Sequence, residues 1–135
     1  MIEDVRLYSY WRSSSSWRVR IALGLKGIAH RIIPVNLIAG AGDQWSPAHL
    51  ERSPAGKIPV LELVHDGTPR RVVESMAMLE LLEELCPEPR LLPADPFLRA
   101  QVRTLAELVN SGIQPLQNLS VMKKVNELAP GAPVG

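Results

Sequence analysis

The sequence predicts an α/β fold of order βαβ then ββα, followed by further helices. Three observations support this prediction. An apolar strand near the N-terminus ends in four consecutive serines and continues into an apolar helical segment. Two later strands flank an Asp-Gly pair, which is typical of a β-hairpin. Residues 86–96 contain four prolines and separate this part of the chain from two more helical segments.

The first three elements form a predicted βαβ unit. Residues 5–10 alternate and contain two tyrosines, as in a strand. Residues 16–26 carry apolar side chains over most of the helix circumference, with Arg20 on the polar side, so we expect a helix covered on two sides. Gly27 is a natural C-cap, and residues 31–37 return as a second strand whose proline favours an edge position. A crossover of this kind implies parallel pairing.

The next elements form a predicted ββα unit. Residues 43–51 predict at most a short helix, cut by Pro47. Residues 57–64 and 70–73 predict the two strands of the hairpin. A helix follows over residues 75–85, with apolar side chains on one face and glutamates on the other.

The remaining residues predict two helices, from Asp95 to about Val109 and from near Gln114 to Ala129, with an interruption at 110–112. Two helices cannot enclose a core of their own, so they are expected either to pack on the first domain or to lack the helices they would pack against. The predicted organisation is a first domain at 1–86, a linker at 87–95 and a partial helical domain at 96–135.

Composition favours a small-molecule partner. The 135 residues are 46% hydrophobic and 21% charged, with a net charge of +1, which argues against a nucleic-acid or membrane footprint. One cysteine, Cys86, forms no internal disulfide, and no leader pattern precedes the first strand, so we expect a cytoplasmic protein. His30, His49 and His65 lie on separate elements without ligand spacing, which argues against a metal site.

The four serines, Ser13 to Ser16, place hydroxyl groups at the predicted start of the first helix. Such a start has unpaired backbone N–H groups and about half a positive charge, so it stabilises an anion. A thiolate is an anion, and we interpret this turn as a site for sulfur chemistry. Taken alone, four serines are better explained by a simple N-cap and a flexible turn, and only the flanking pattern described below favours the functional interpretation.

The order βαβ then ββα, with a helix start presented after the first strand, is that of the thioredoxin-like fold. Ile58-Pro59, just before a predicted strand, supports this fold, in which the corresponding bond is usually cis and leaves the Ile58 backbone free to pair with a peptide-like ligand. From the residues alone, a trans proline that starts an edge strand is about as well supported.

Several motifs together are similar to those of one enzyme family. The two most specific are the serine turn running into Trp17-Arg-Val-Arg20 and the segment Gln114-Pro-Leu-Gln-Asn118. The others lie at 25–28, 35–37, 74–75 and 90–93. On these motifs the chain resembles the zeta class of glutathione transferases, the maleylacetoacetate isomerases, from Leu7 to about Val125.

The resemblance implies a thioredoxin-like N-terminal domain followed by the first helices of the all-α glutathione-transferase C-terminal domain. It implies glutathione as the cofactor and a small dicarboxylate as the substrate. The implied reaction isomerises maleylacetoacetate to fumarylacetoacetate in tyrosine and phenylalanine catabolism. The family also implies a cytoplasmic homodimer.

The resemblance also assigns residues to roles. The implied catalytic residues are Ser13, Ser14 and Ser15. The implied cofactor-binding residues are Ser13, Ser14, Ser15, Ser16, Trp17, Arg18, Gln44, Ile58, Pro59, Glu74 and Ser75. The implied substrate-binding residues are Arg12, Gln114, Asn118, Leu119 and Ser120, although a solvent-facing side chain is an equally good interpretation of Arg12. No metal is implied.

Two departures from the family keep other functions open. Ser15 stands where the family has a cysteine, and the chain ends where the family continues its helical domain. Besides the isomerase, we therefore keep a glutathione transferase acting on haloacids or other small electrophiles. A truncated, non-catalytic domain that binds glutathione or a partner is the third candidate.

Simpler structural roles also stay open for single residues. Glu74-Ser75 taken alone is compatible with an ordinary helix start. We expect Trp17, Met76 and Met78 to belong to the core, because apolar residues at helical spacing usually pack. Cys86 is expected to be a buried residue at a helix end.

Overall fold

The computed structural model describes residues 1–131 and contains a four-stranded mixed sheet in the order β2-β1-β3-β4. β1 pairs in parallel with β2, while β3 pairs antiparallel with both β1 and β4. The predicted α/β class and the thioredoxin-like order βαβ then ββα are confirmed. The elements of this part are β1 (Ile2–Ser9), α1 (Ser14–Leu25), β2 (His30–Pro34), a 3₁₀ turn (Asp43–Trp45), α2 (Pro47–Arg52), β3 (Val60–His65), β4 (Thr68–Val73) and α3 (Ser75–Leu85).

The main hydrophobic core lies where α1 and α3 contact each other and pack on the two central strands. Its members are almost fully buried: Val5, Leu7, Val19, Ala22, Leu23, Leu61, Leu63, Met78 and Leu82. Full burial of one such leucine stabilises the fold by about 1.5–3 kcal/mol. Since side chains alternate along a strand, Tyr8 and Val60 belong to a second, smaller cluster together with Val35.

Helix α1 ends in a Schellman motif. The N–H of Ile28 donates to Leu23 O at 2.9 Å and that of Gly27 donates to Gly24 O at 3.1 Å. Gly27 has φ +64°, which explains why glycine stands there. The expectation that α1 is covered on two sides is wrong, because Ile21 is exposed on its outer face.

The segment after α3 is held by a buried lysine. The Nζ of Lys26 is 2.7 Å from a Glu83 carboxylate oxygen and donates to Cys86 O at 2.6 Å and to Pro89 O at 3.1 Å. The Lys26 side chain is fully enclosed. These contacts join residues 86–91 to the first of two compact units, Met1–Leu91, and Cys86 is half-buried as the C-cap of α3.

Two local predictions were inexact, and a third was correct. Pro47 opens α2 at its first position, where its missing N–H costs nothing, instead of cutting a helix. β3 begins at Val60, three residues later than expected, because Pro59 has no N–H for the sheet. The Ile58–Pro59 peptide bond is cis, as the fold predicted, and so is the Glu88–Pro89 bond.

The second unit begins at Leu92 and is mainly helical over its described residues, which end at 131. Its elements are α4 (Pro96–Glu107), a π-helical segment (Leu108–Ile113), a 3₁₀ turn (Gln114–Gln117) and α5 (Leu119–Leu128). The interruption expected at 110–112 is therefore a widened helical turn and not a break. In α4 and α5, as far as the chain is described, no residue is buried. Within residues 1–131, no helix is both long and apolar enough to cross a membrane.

Candidate functional site

The serine turn forms the start of α1. Ser13 is the N-cap, with extended backbone angles, and its Oγ accepts a hydrogen bond from the N–H of Ser16 at 3.1 Å. This cap uses a lone pair of the oxygen, so the hydroxyl hydrogen is still able to donate. The N–H groups of the first turn and the positive end of the helix dipole lie beside that hydroxyl. This arrangement suits a bound anion.

The four serines differ sharply in exposure. Ser14 is exposed, and Ser13 and Ser15 are half-buried. Ser16 is fully buried, and its Oγ has no hydrogen-bond partner among the described residues. Only the hydroxyls of the first three serines are therefore accessible to a ligand at this helix start. Ser16, which was also predicted to bind the cofactor, is enclosed by the protein and out of a ligand's reach.

Arg20 holds the loop between β1 and α1. Its guanidinium donates to Ser9 Oγ at 2.9 Å, to Tyr10 O at 3.3 Å and to Trp11 O at 3.1 Å. Tyr10 O also accepts the N–H of Ser13 at 3.0 Å. The expectation that Arg20 lies on a polar outer face is therefore incomplete, because its side chain folds back onto the loop that carries Ser13.

Helix α3 begins close to α1 and in an unusual conformation. Its N-cap, Glu74, has φ +70° and ψ 113°, a left-handed backbone that costs a non-glycine residue about 1–3 kcal/mol. No side chain within residues 1–131 caps the first turn of α3. The buried Ser75 accepts a hydrogen bond at its Oγ from Arg18 at 3.4 Å, which joins this start to α1. Strain together with an uncapped helix start is typical of a binding site.

Ile58 lies between the two helix starts in the chain order, just before β3. Its half-buried side chain packs on the cluster of Tyr8, Val35 and Val60. Strand pairing begins at Val60, so the Ile58 backbone lies outside the ladder of the sheet. A backbone in this position is able to pair with an extended peptide.

Three other predicted contact residues, Gln44, Trp17 and Arg12, lie in different environments. Gln44 is buried, its Nε2 donates to Leu37 O at 3.4 Å, and its Oε1 has no partner in the described part of the chain. Trp17 is 61% exposed, so the expectation that it is a core residue is wrong. The guanidinium of the exposed Arg12 lies 5.6 Å from the centre of the Trp11 ring.

The four residues of the second unit that were predicted to bind the substrate lie between the start of the 3₁₀ turn and the second residue of α5. Gln114 opens the 3₁₀ turn, and its Nε2 donates to Asn118 Oδ1 at 3.1 Å. Asn118 is the N-cap of α5, and Leu119 and Ser120 are its first two residues, both exposed. The structure therefore presents these side chains together at the start of α5.

The face of the sheet opposite α1 and α3 carries charged side chains that are paired with one another. Asp4 pairs with Arg6 and with Arg31, and these hydrogen bonds hold the pKa of the Asp4 carboxyl below its usual value. Glu62 accepts from Arg71 at 2.9 Å and from the Tyr8 hydroxyl at 3.0 Å. Among residues 1–131, no group of three or more His, Cys, Asp and Glu side chains is arranged to hold a metal ion.

The fold and the two helix starts agree with a family comparison. The model of the glutathione S-transferase N-terminal domain matches residues 12–85, and the chain belongs to the glutathione S-transferase family. Among its relatives, the maleylacetoacetate isomerase of Mus musculus is 53% identical over 121 residues, which cover 90% of this chain and 54% of the mouse protein. A zeta-class glutathione S-transferase of Euphorbia esula is 46% identical over 123 residues, 91% of this chain and 52% of that protein.

A solved structure gives the same result. The maleylacetoacetate isomerase of Anaeromyxobacter dehalogenans 2CP-1, with GSH bound in its active site, superposes with a TM-score of 0.83 at 52% identity. The match covers 96% of this chain and 59% of that chain. The chain spans about half the length of the curated relatives it matches. The predicted resemblance to the zeta class is confirmed.

Proposed function

We propose that this chain binds glutathione and uses its thiolate for the cis–trans isomerisation of maleylacetoacetate to fumarylacetoacetate. The observation that carries the proposal is the start of α1, where Ser13 caps the helix and keeps a hydroxyl hydrogen beside the positive helix end. An ordinary thiol has a pKa near 8.5, and such surroundings lower it. The isomerase names of the relatives support the same activity.

The residues present fit glutathione by their chemistry. The uncapped start of α3 suits the γ-glutamyl carboxylate, and Glu74 supplies a negative charge for the amine beside it. The unpaired backbone of Ile58 suits the cysteinyl unit. The buried Oε1 of Gln44 has no donor within the described residues, and after a small rearrangement it would accept the N–H of the glycyl unit of glutathione. Further proposed contacts are Trp17, Arg18, Pro59 and Ser75.

Bound glutathione supplies a sulfur nucleophile that adds to a conjugated double bond and leaves again after rotation about the resulting single bond. In this proposal Ser13, with Ser14 and Ser15 beside it, donates hydrogen bonds that keep the sulfur deprotonated. Ser15 occupies the position of the family's cysteine, so the chain adds no second thiol to this turn. Arg12, Gln114, Asn118, Leu119 and Ser120 are proposed to bind the dicarboxylate.

We further propose a cytoplasmic homodimer. The cytoplasm holds a pool of reduced glutathione, which the proposed reaction needs. It also keeps thiols reduced, which suits the single free cysteine, Cys86. The second unit exposes large apolar side chains such as Leu105, Leu116 and Leu128, at 66%, 69% and 75%. Exposed apolar surface of this kind favours association, and twofold dimers are the commonest assembly.

The proposal is tested by titrating the chain with glutathione and assaying product from maleylacetoacetate and from a haloacid side by side. We expect binding and faster turnover of maleylacetoacetate. Turnover of the haloacid alone would assign a transferase in place of the isomerase. Binding without turnover of either substrate would assign a binding domain, and absence of binding would refute the proposal as a whole.

A further inference from the structure

Helix α2 and its C-cap form two hydrogen bonds with the backbone of Lys57, the residue before Ile58. The Nε2 of His49 lies 2.9 Å from the carbonyl oxygen of Lys57. The Oγ of Ser53, the C-cap of α2, accepts the N–H of Lys57 at 3.1 Å. Both side chains belong to residues that are only 3% exposed. Both polar backbone groups of Lys57 are thus held by buried side chains of one short element.

The hydrogen bond determines the state of the imidazole. A carbonyl oxygen only accepts, so the Nε2 of His49 carries a hydrogen and donates it. The backbone of His49 is itself fixed, because its N–H donates to Ser46 O at 3.0 Å and to Ser46 Oγ at 3.3 Å. A buried ring on a fixed backbone holds its partner with little freedom.

The turn between Ser53 and Lys57 is also closed from the other side. Gly56 has φ +61°, and a Cβ placed on it would come within 2.4 Å of the Trp45 ring. Its N–H donates to Ser53 O at 2.8 Å. Only glycine therefore fits at position 56, and the turn that connects α2 to Lys57 is tightly packed.

We propose that His49 is a positioning residue that orients the backbone N–H of Ile58. The carbonyl of Lys57 and the N–H of Ile58 belong to one planar peptide unit, so fixing the direction of one fixes the direction of the other. In a trans unit the N–H points away from the carbonyl, and hence away from His49. The inference rests on the proposed function, in which this N–H pairs with the cysteinyl unit of glutathione.

His49→Phe tests the proposal, because it keeps a ring of similar size and removes the donor. The matched control is His30→Phe, since the Nδ1 of His30 lies 2.8 Å from the backbone oxygen of Ile28 on another element. We expect His49→Phe to raise the Kd for glutathione about tenfold, the size of one net hydrogen bond. We also expect faster amide hydrogen exchange at Ile58 in the ligand-free chain. The control should change neither.

Two further variants keep the test decisive if His49→Phe fails to fold. His49→Gln retains a side-chain N–H and should restore part of the affinity, while Ser53→Ala frees the N–H of Lys57 and should raise the Kd. Unchanged affinity and unchanged Ile58 exchange in a folded His49→Phe chain, or in Ser53→Ala if the former does not fold, would overturn the proposal. Faster Ile58 exchange in a chain whose unmodified form binds no glutathione would instead support the positioning role and refute the proposed function.

Discussion

Helices α1 and α3, which pack on each other and are joined by the hydrogen bond from Arg18 to Ser75, start in opposite ways. Ser13 begins α1 with a relaxed, extended backbone and caps the first turn with its own hydroxyl. Glu74 begins α3 with φ +70° and leaves the first turn uncapped within the described residues. At the start of α1, the Ser13 hydroxyl caps a backbone N–H and still has a hydrogen to donate. At the start of α3, the backbone is strained and the N–H groups of the first turn are left for another acceptor. The first suits a reacting anion and the second suits tight binding of a carboxylate.

The largest expected effect comes from the α1 start. Ser13→Ala combined with Ser14→Ala should lower kcat/KM by about 10²-fold or more, because a donor to the sulfur anion is lost. Steady-state kinetics on the folded double variant measure this. Asp95→Ala is the matched control, since Asp95 caps α4 in the same way, by accepting the N–H of Leu98 at 2.8 Å. Unchanged turnover in the serine variant would refute the role assigned to this start.

A second, smaller effect separates binding from strain at the α3 start. Glu74→Gly should raise the free energy of unfolding by about 1 kcal/mol, because glycine adopts a positive φ without strain. The same variant should weaken glutathione binding about tenfold, the size of one lost charge-assisted contact. Denaturant unfolding and calorimetric titration measure the two quantities.

The control for this variant is Asp66→Gly, because Asp66 also has a positive φ, +48°, but lies in the hairpin turn. It should leave the Kd for glutathione unchanged. A Glu74→Gly chain that gains no stability would show that the α3 start is not strained. One that binds glutathione as before would show that Glu74 takes no part in binding.

The smallest expected effect concerns the loop before α1. Arg20→Gln removes three hydrogen bonds to that loop, and we expect kcat/KM to fall about tenfold. The fall is smaller than for the serines because the N–H of Ser13 still donates to Tyr10 O. Arg31→Gln, on an exposed ion pair of the sheet, is the control. If both variants keep full turnover, the loop needs no arginine to hold Ser13.

The start of α1 and the hairpin were predictable because each has a local signal. Serine is a preferred N-cap, and Asp66-Gly67 marks a tight turn whatever surrounds it. The family motifs added the assignment of Ile58 and Glu74 to a ligand. Such signals depend on only a few neighbouring residues, so they can be recognised without knowledge of the tertiary structure.

The rest depends on contacts between distant parts of the chain. The sequence gives no signal for the positive φ of Glu74, because the residue is neither a glycine nor an asparagine. The hydrogen bonds of Arg20 to the residues before α1 and of His49 to Lys57 join elements that are distant in sequence or separated by a loop. They are therefore visible only in the folded structure. Trp17 has helical spacing with the core but is exposed, since periodicity alone does not say which surfaces find a neighbour.

The most direct test of the central claim is the pKa of the thiol of glutathione bound to this chain, followed by the ultraviolet absorbance of the thiolate. If the start of α1 stabilises the anion, the bound thiol should titrate at least about one unit below its ordinary value near 8.5. That shift should disappear in the Ser13→Ala and Ser14→Ala double variant. Glutathione that binds but titrates at its ordinary pKa would contradict the account.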